Sequence, residues 1–273
     1  MRQYTHKLFI YIALPCEAKP LVEHFKLKKE VAVQPFAVYL NKDICLTVTG
    51  VGKSAMAAGV AYTQALFAST EPVIILNLGI AGHQDHPLGS LFLIDKITDA
   101  DSQRRYYPSL IFTSNFATAS LQTVSRPQLT YDQVNLCDME ASAFYETAVR
   151  FSSNEYLYCL KIISDNQYAP AENIQAKQVS SLIAGHVSAV ECLLARALAE
   201  ALSATQPESS MFDQLIGQYH FTVNEQMQLK NQLSRWAVVT NSGPLEFEAD
   251  ALKNAKEVLR CLELKIAETA FYL

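Results

Sequence analysis

Apolar residues along this chain fall into two rhythms. Four short runs, Leu8 to Leu14, Ile44 to Val48, Val73 to Leu78 and Tyr156 to Ile163, are almost unbroken. That is the pattern of strands covered on both faces, as in a parallel sheet. Between them the spacing turns helical: Ser54 to Ala68 is rich in alanine, Asp138 to Phe151 sets Met139, Ala143, Thr147 and Phe151 on one face, and Val187 to Leu202 is apolar nearly throughout. Strands alternating with helices predict a three-layer α/β/α domain over residues 1–203. Near Ser203 to Ser210 the rhythm stops and the composition becomes that of a linker. Residues 211–273 then predict a helical hairpin. Thr222-Val223-Asn224-Glu225 reads as a capping box opening a helix through Leu229, Leu233 and Trp236. A second helix follows Gly243-Pro244, with Leu252, Ala255, Leu259, Leu262 and Ile266 on one face.

Composition narrows this picture. With 273 residues, half of them apolar, the chain can bury a large core without disulfides or metal. The net charge of −5, from 22 basic and 27 acidic residues, gives no footprint for a phosphate backbone or an anionic membrane. Neither nucleic acid nor membrane is expected as a partner. The six cysteines are scattered with no C-x-x-C pair and no histidine at zinc spacing, so no metal is expected and a reduced, cytoplasmic setting fits. The run from Leu8 has a weakly basic start, but Cys16-Glu17-Ala18-Lys19 follows it where a signal peptide would have small residues, which favours a first buried strand.

Four segments carry candidate chemistry, each with a plainer reading beside it. Thr49-Gly50-Val51-Gly52-Lys53-Ser54 joins a strand to a helix and contains Gly-Lys-Ser, yet Thr47 stands where a nucleotide-binding P-loop needs glycine. It is either a tight turn or a place where a small ligand meets backbone and helix N-terminus. Asn77-Leu78-Gly79-Ile80-Ala81-Gly82 ends another strand in small residues, and two such ends suggest a shared pocket or two unrelated turns. Cys137-Asp138-Met139-Glu140 puts acids at the start of a helix, where they serve as caps or as a site. Lys161-Ile162-Ile163-Ser164-Asp165 ends a strand in a carboxylate that either caps a turn or faces a ligand.

Together with Ala13-Leu14-Pro15-Cys16-Glu17, these motifs in this order resemble the purine nucleoside phosphorylase and nucleosidase family, its methylthioadenosine/S-adenosylhomocysteine nucleosidases most of all. The resemblance covers most of residues 7 to 202. It implies a cofactor-free enzyme acting on a small purine nucleoside, adenine-based by preference, and assembled as a homodimer or larger homo-oligomer. It also implies roles: Glu140 on the ribose hydroxyl, Asp165 protonating or holding the purine at N7, and Glu17 polarising the attacking water. Met139 would pack on the sugar, Phe116 would stack on the base, and Val51, Gly79, Ile80, Ala81, Lys161 and Ser164 would complete the substrate site.

The chemistry suits these residue types. Departure of a purine leaves an oxocarbenium-like sugar and an anionic base, so a carboxylic acid that protonates the base contributes about 10²- to 10⁴-fold. Carboxylates on the sugar side stabilise positive charge and orient water. Phosphorylases of the family carry an arginine before their glycine-threonine motif, whereas Asn77 and Ile80 stand here, which points to water as the acceptor. Phosphorolysis, or a nucleoside-binding regulator with weakened catalysis, are the rival readings. Three departures bear on the match: Lys161 replaces arginine, Ile80 replaces a small polar residue, and Asp99 to Thr130 is shorter than its counterpart. Asp101, Arg104, Arg105, Tyr106 and Tyr107 are either a replacement lid or a solvated loop.

Overall fold

The structure, a computed structural model, describes residues 6–67, 73–110, 116–128, 130–240, 243–245, 252 and 254–268, with the backbone alone at 203–210 and 238. The chain divides into two compact units, Met1–Leu198 and Ala199–Leu273.

In the first unit the four apolar runs become neighbouring strands. In chain order the unit begins β1 (Leu8–Ile12), α1 (Pro15–His24), β2 (Lys28–Lys29), β3 (Ala37–Leu40), β4 (Ile44–Val48), α2 (Lys53–Phe67) and β5 (Ile74–Gly82). It continues β6 (Leu91–Asp99), β7 (Arg105–Tyr106), β8 (Ala117–Thr123), β9 (Leu136–Asp138), α3 (Ala141–Ala148), β10 (Leu157–Asp165), α4 (Ala176–Ala184) and the start of α5 (Val187–Gln218). β4, β1, β5 and β10 lie side by side and parallel, with Ile10 opposite Leu46 and Leu76, and Leu78 opposite Leu160. Every residue of β1, β4 and β10 is buried, which is why these strands show no alternation. On one face Phe9, Tyr11, Ile75 and Cys159 pack with Met56 and Val60 of α2 and Phe144 and Ala148 of α3. The other helix pair, α1 and α4, touches β1, β4 and β10. The layers are therefore those expected.

The sheet is mixed and larger than the four runs foretell. β5, β10, β6, β8 and β9 pair in a closed circuit, β10 with β6 antiparallel and β6 with β8 parallel. β8 reads Ala-Thr-Ala-Ser-Leu-Gln-Thr and only Leu121 and Thr123 are buried, so its strand character comes from pairing and not from apolar content. The parallel strands direct their carboxyl ends to one side, where β1 leads into Ala13, β4 into Thr49, β5 ends at Gly82 and β10 ends at Asp165. In open α/β sheets that side is where ligands bind.

The second unit holds the rest of α5, α6 (Val223–Val239) and α7 (Ala255–Glu268) around a core of Leu215, Phe221, Leu229, Leu233, Val258 and Leu262. Thr222 and Glu225 form the capping box: Thr222 N donates to Glu225 Oε2 at 2.8 Å and Glu225 N to Thr222 Oγ1 at 3.3 Å. Two expectations change. The backbone of Ser203 to Ser210 continues α5 and is not a loop linker, since alanine, glutamine and glutamate among its serines favour helix and only Pro207 opposes it. The unit also has three helical pieces and not two. Among the described residues no single helix is long and apolar enough to cross a membrane.

Candidate active site

At the carboxyl ends of these strands lies a cavity of about 210 Å³. Glu17, Glu140 and Asp165, from three separate elements, all reach its wall, along with Val51, Ile80, Ala81, Met139 and Ser164.

Glu17 comes from the first turn of α1, which Pro15 starts with its fixed φ. Its Oε2 accepts Leu14 N–H at 2.7 Å, and its Oε1 accepts Ile80 N–H at 3.0 Å from β5. The side chain is 1% exposed. Burial pushes its pKa up to about 7 against the two amides and the Lys161 charge, with Glu140 adding to the rise. A carboxyl near 7 in a cavity wall exchanges a proton with water at neutral pH.

Glu140 precedes α3. Its Oε1 accepts Gly52 N–H at 2.7 Å. That amide is presented by a turn in which Gly50 (φ 90°) and Gly52 (φ 100°) both lie in the left-handed region, a conformation that explains the glycine pair. Burial first, then Asp138, raises the Glu140 pKa, opposed by Lys161 and by the Gly52 and Met139 amides.

Beneath these acids is an ion pair the motifs did not foretell. Lys161 Nζ lies 2.8 Å from Asp138 Oδ2, and both side chains are within 1% of full burial. Asp138 also accepts Ala141 N–H at 2.8 Å and the Thr123 hydroxyl at 2.7 Å, so it does cap α3. Burial opposes charge on Lys161, but Asp138, Cys159 and Glu140 outweigh it and hold the ammonium. Lys161 thus neutralises the cluster from behind and is not on the cavity wall, which corrects its expected substrate contact. Gly79 is likewise behind the wall: a Cβ there would meet Lys161 Nζ at 3.3 Å and Glu17 Oε1 at 3.4 Å.

Asp165 ends β10. Its Oδ1 accepts the Ser164 hydroxyl at 2.5 Å and its Oδ2 accepts the Tyr131 hydroxyl at 2.8 Å. Gly82 lets this carboxylate sit close, since an added Cβ would fall 2.5 Å from Oδ2.

Phe116 is not brought to the site. It precedes β8 and is not among the residues that line the cavity. Asp101 to Tyr107 form no lid. Arg105 and Tyr106 pair with β6, Arg104 and Tyr106 bind Glu146, and Asp101 holds Lys53. Val124, Gln128, Thr130, Tyr131, Gln133 and Asn135 line the cavity instead. Their mixed polar sequence carries no periodic signal, so only the fold reveals them.

Among the described residues one cluster has the donors for a metal, His83, Asp85 and His86. The His83 ring is already committed: Nε2–H donates to Val134 O at 3.1 Å, and Nδ1 accepts the amides of Asp85 and His86 at 3.2 and 3.0 Å. An ion on Nδ1 would have to displace both amides, so these residues do not fit one.

No protein-family model and no curated protein matches this sequence. Solved structures do match in fold. They include an MTAN of Chlamydia trachomatis (17% identity, TM-score 0.54, covering 70% of this chain and 100% of that one). A futalosine hydrolase mutant of Helicobacter pylori matches at 12% identity and TM-score 0.53, over 70% and 100% of the two chains. The 5′-methylthioadenosine nucleosidase of Arabidopsis thaliana matches at 18% and 0.54, over 72% and 96%.

Proposed function

We propose that this chain hydrolyses the N-glycosidic bond of a purine nucleoside, a 5′-modified adenosine being the first candidate. The observation that carries the reading is the convergence of Glu17, Glu140 and Asp165 on one cavity, each with its own hydrogen-bond partners. Asp165 protonates the leaving purine as the electron pair of the glycosidic bond departs with the base. Glu140, clamped by Gly52 N–H, holds a ribose hydroxyl and stabilises the developing cation. Glu17, with a pKa near 7, takes the proton of the attacking water. The fold neighbours support this reading, being named as nucleosidases and a futalosine hydrolase, and an Asp-to-Asn variant of the Chlamydia protein is known bound to MTA.

Charge placement favours water over phosphate. No lysine or arginine is among the described residues that line the cavity. Lys161 is spent on Asp138, and Lys53 lies between Asp99 Oδ2 at 2.5 Å and Asp101 Oδ2 at 2.7 Å. A phosphate dianion would therefore find no bidentate partner.

The test is product analysis on adenosine, inosine and 5′-methylthioadenosine. Free purine and free sugar should form at a rate that inorganic phosphate leaves unchanged, and Asp165→Asn and Glu140→Gln should each lower kcat by at least about 100-fold. A pentose 1-phosphate product, or undiminished turnover in both variants, would overturn the reading.

A further inference from the structure

Tyr131 is on the cavity wall, yet neither the motifs nor the reaction above calls on it. Its hydroxyl accepts Ala171 N–H at 2.8 Å and donates to Asp165 Oδ2 at 2.8 Å. The amide fixes the hydroxyl's direction, because an oxygen that already accepts from Ala171 turns its own hydrogen toward the carboxylate. Burial raises its pKa to about 12 despite the Ala171 amide, with Asp165 and Glu172 adding to the rise, so the group remains an O–H donor. With Ser164 on Oδ1, Asp165 has one hydroxyl donor on each oxygen.

A hydrogen bond to a charged acceptor is about twice as strong as one between neutral groups. Resting on the reading of Asp165 as the acid, charge appears on its carboxyl when the proton moves to the purine nitrogen and the glycosidic electron pair leaves with the base. The Tyr131 bond therefore strengthens as the reaction proceeds, which is the kind of interaction that raises kcat and not binding alone. Tyr131 keeps its own proton, and solvent reprotonates Asp165 after product leaves.

We infer that Tyr131 is a positioning residue for leaving-group protonation: its hydroxyl, oriented by Ala171, holds Asp165 and stabilises the carboxylate that forms as the purine departs.

The experiment compares the full chain with Tyr131→Phe on 5′-methylthioadenosine and on p-nitrophenyl β-D-ribofuranoside, whose nitrophenolate leaves without a proton. On the purine nucleoside kcat should fall about 10-fold with KM little changed, the size of one hydrogen bond to a charged group. The aryl riboside should be cleaved as fast by the variant as by the parent, which also shows the variant folded. In an Asp165→Asn background the tyrosine change should add no further loss, because its effect passes through Asp165. Unchanged or faster purine release, equal loss on both substrates, or additive loss in the double variant would each overturn the inference. Failure of the parent chain itself to release purine would instead strike the nucleosidase reading on which the inference rests.

Discussion

Glu17 shows how one side chain holds the fold and serves the chemistry. Its carboxyl ties the start of α1 to β5 through Leu14 and Ile80, and it also lines the cavity. Burial raises its pKa to about 7 from 4.5, and that shift sets a sign for stability. The folded state holds this proton more tightly than the unfolded chain. Its contribution is fully present below pH 4.5 and is lost as pH rises through 7, on the order of 3 kcal/mol at about 1.4 kcal/mol per unit. Chemical denaturation at pH 5 and pH 8 should thus show the parent chain losing stability with rising pH, and Glu17→Gln losing less. Glu140, whose shift has the same direction, adds to the decline, and His6 and His86, whose pKa values burial lowers, work against it. The same substitution should remove the acidic limb near pH 7 from kcat/KM for purine release. An identical stability decline in parent and variant would rule out the assigned shift.

At the scale of elements, the turn between β4 and α2 is the clearest case of backbone acting as a functional group. Gly52 N–H holds Glu140, and Lys53 fastens the turn to Asp99, whose own carboxyl, despite partial burial, is held well below the usual range by Lys53 and the Ser102 and Ser142 donors. A Cβ on Gly52 would meet nothing within 4 Å, so Gly52→Ala tests conformation and not space. At φ 100° an L-residue costs about 1–2 kcal/mol, and relief of that strain would turn the amide from Glu140. The expected result is a modest drop in melting temperature with a several-fold rise in nucleoside KM, measured by steady-state kinetics; an unchanged KM would detach the turn from substrate binding. This turn also shows where sequence was informative. Buried parallel strands and glycine turns have local causes, so β1, β4, β5, β10 and the carboxylates at their ends were legible. β6 to β9 and the Tyr131 segment were not, because residues such as Thr118 or Gln133 gain their roles from partners distant in sequence. The Lys161–Asp138 pair escaped for the same reason: a lysine in an apolar strand and an aspartate before a helix meet only once β9 and β10 are brought together.

On the scale of the whole molecule, every described residue lining the cavity belongs to Met1–Leu198, while Ala199–Leu273 has its own buried cluster. A side chain in that cluster can therefore be removed without touching the proposed chemistry. Leu262 is fully buried among Leu229, Leu233 and Val258. Truncation to alanine leaves a cavity and costs about 2–5 kcal/mol. If the two units open separately, that loss is confined to one of them. Leu262→Ala should then lower amide-exchange protection within α6 and α7 while β1, β5 and β10 keep theirs, and kcat and KM for purine release should stay at parent values. Loss of protection across both units would show that they unfold together, and a fall in kcat with protection intact would show that the helical unit acts on the site.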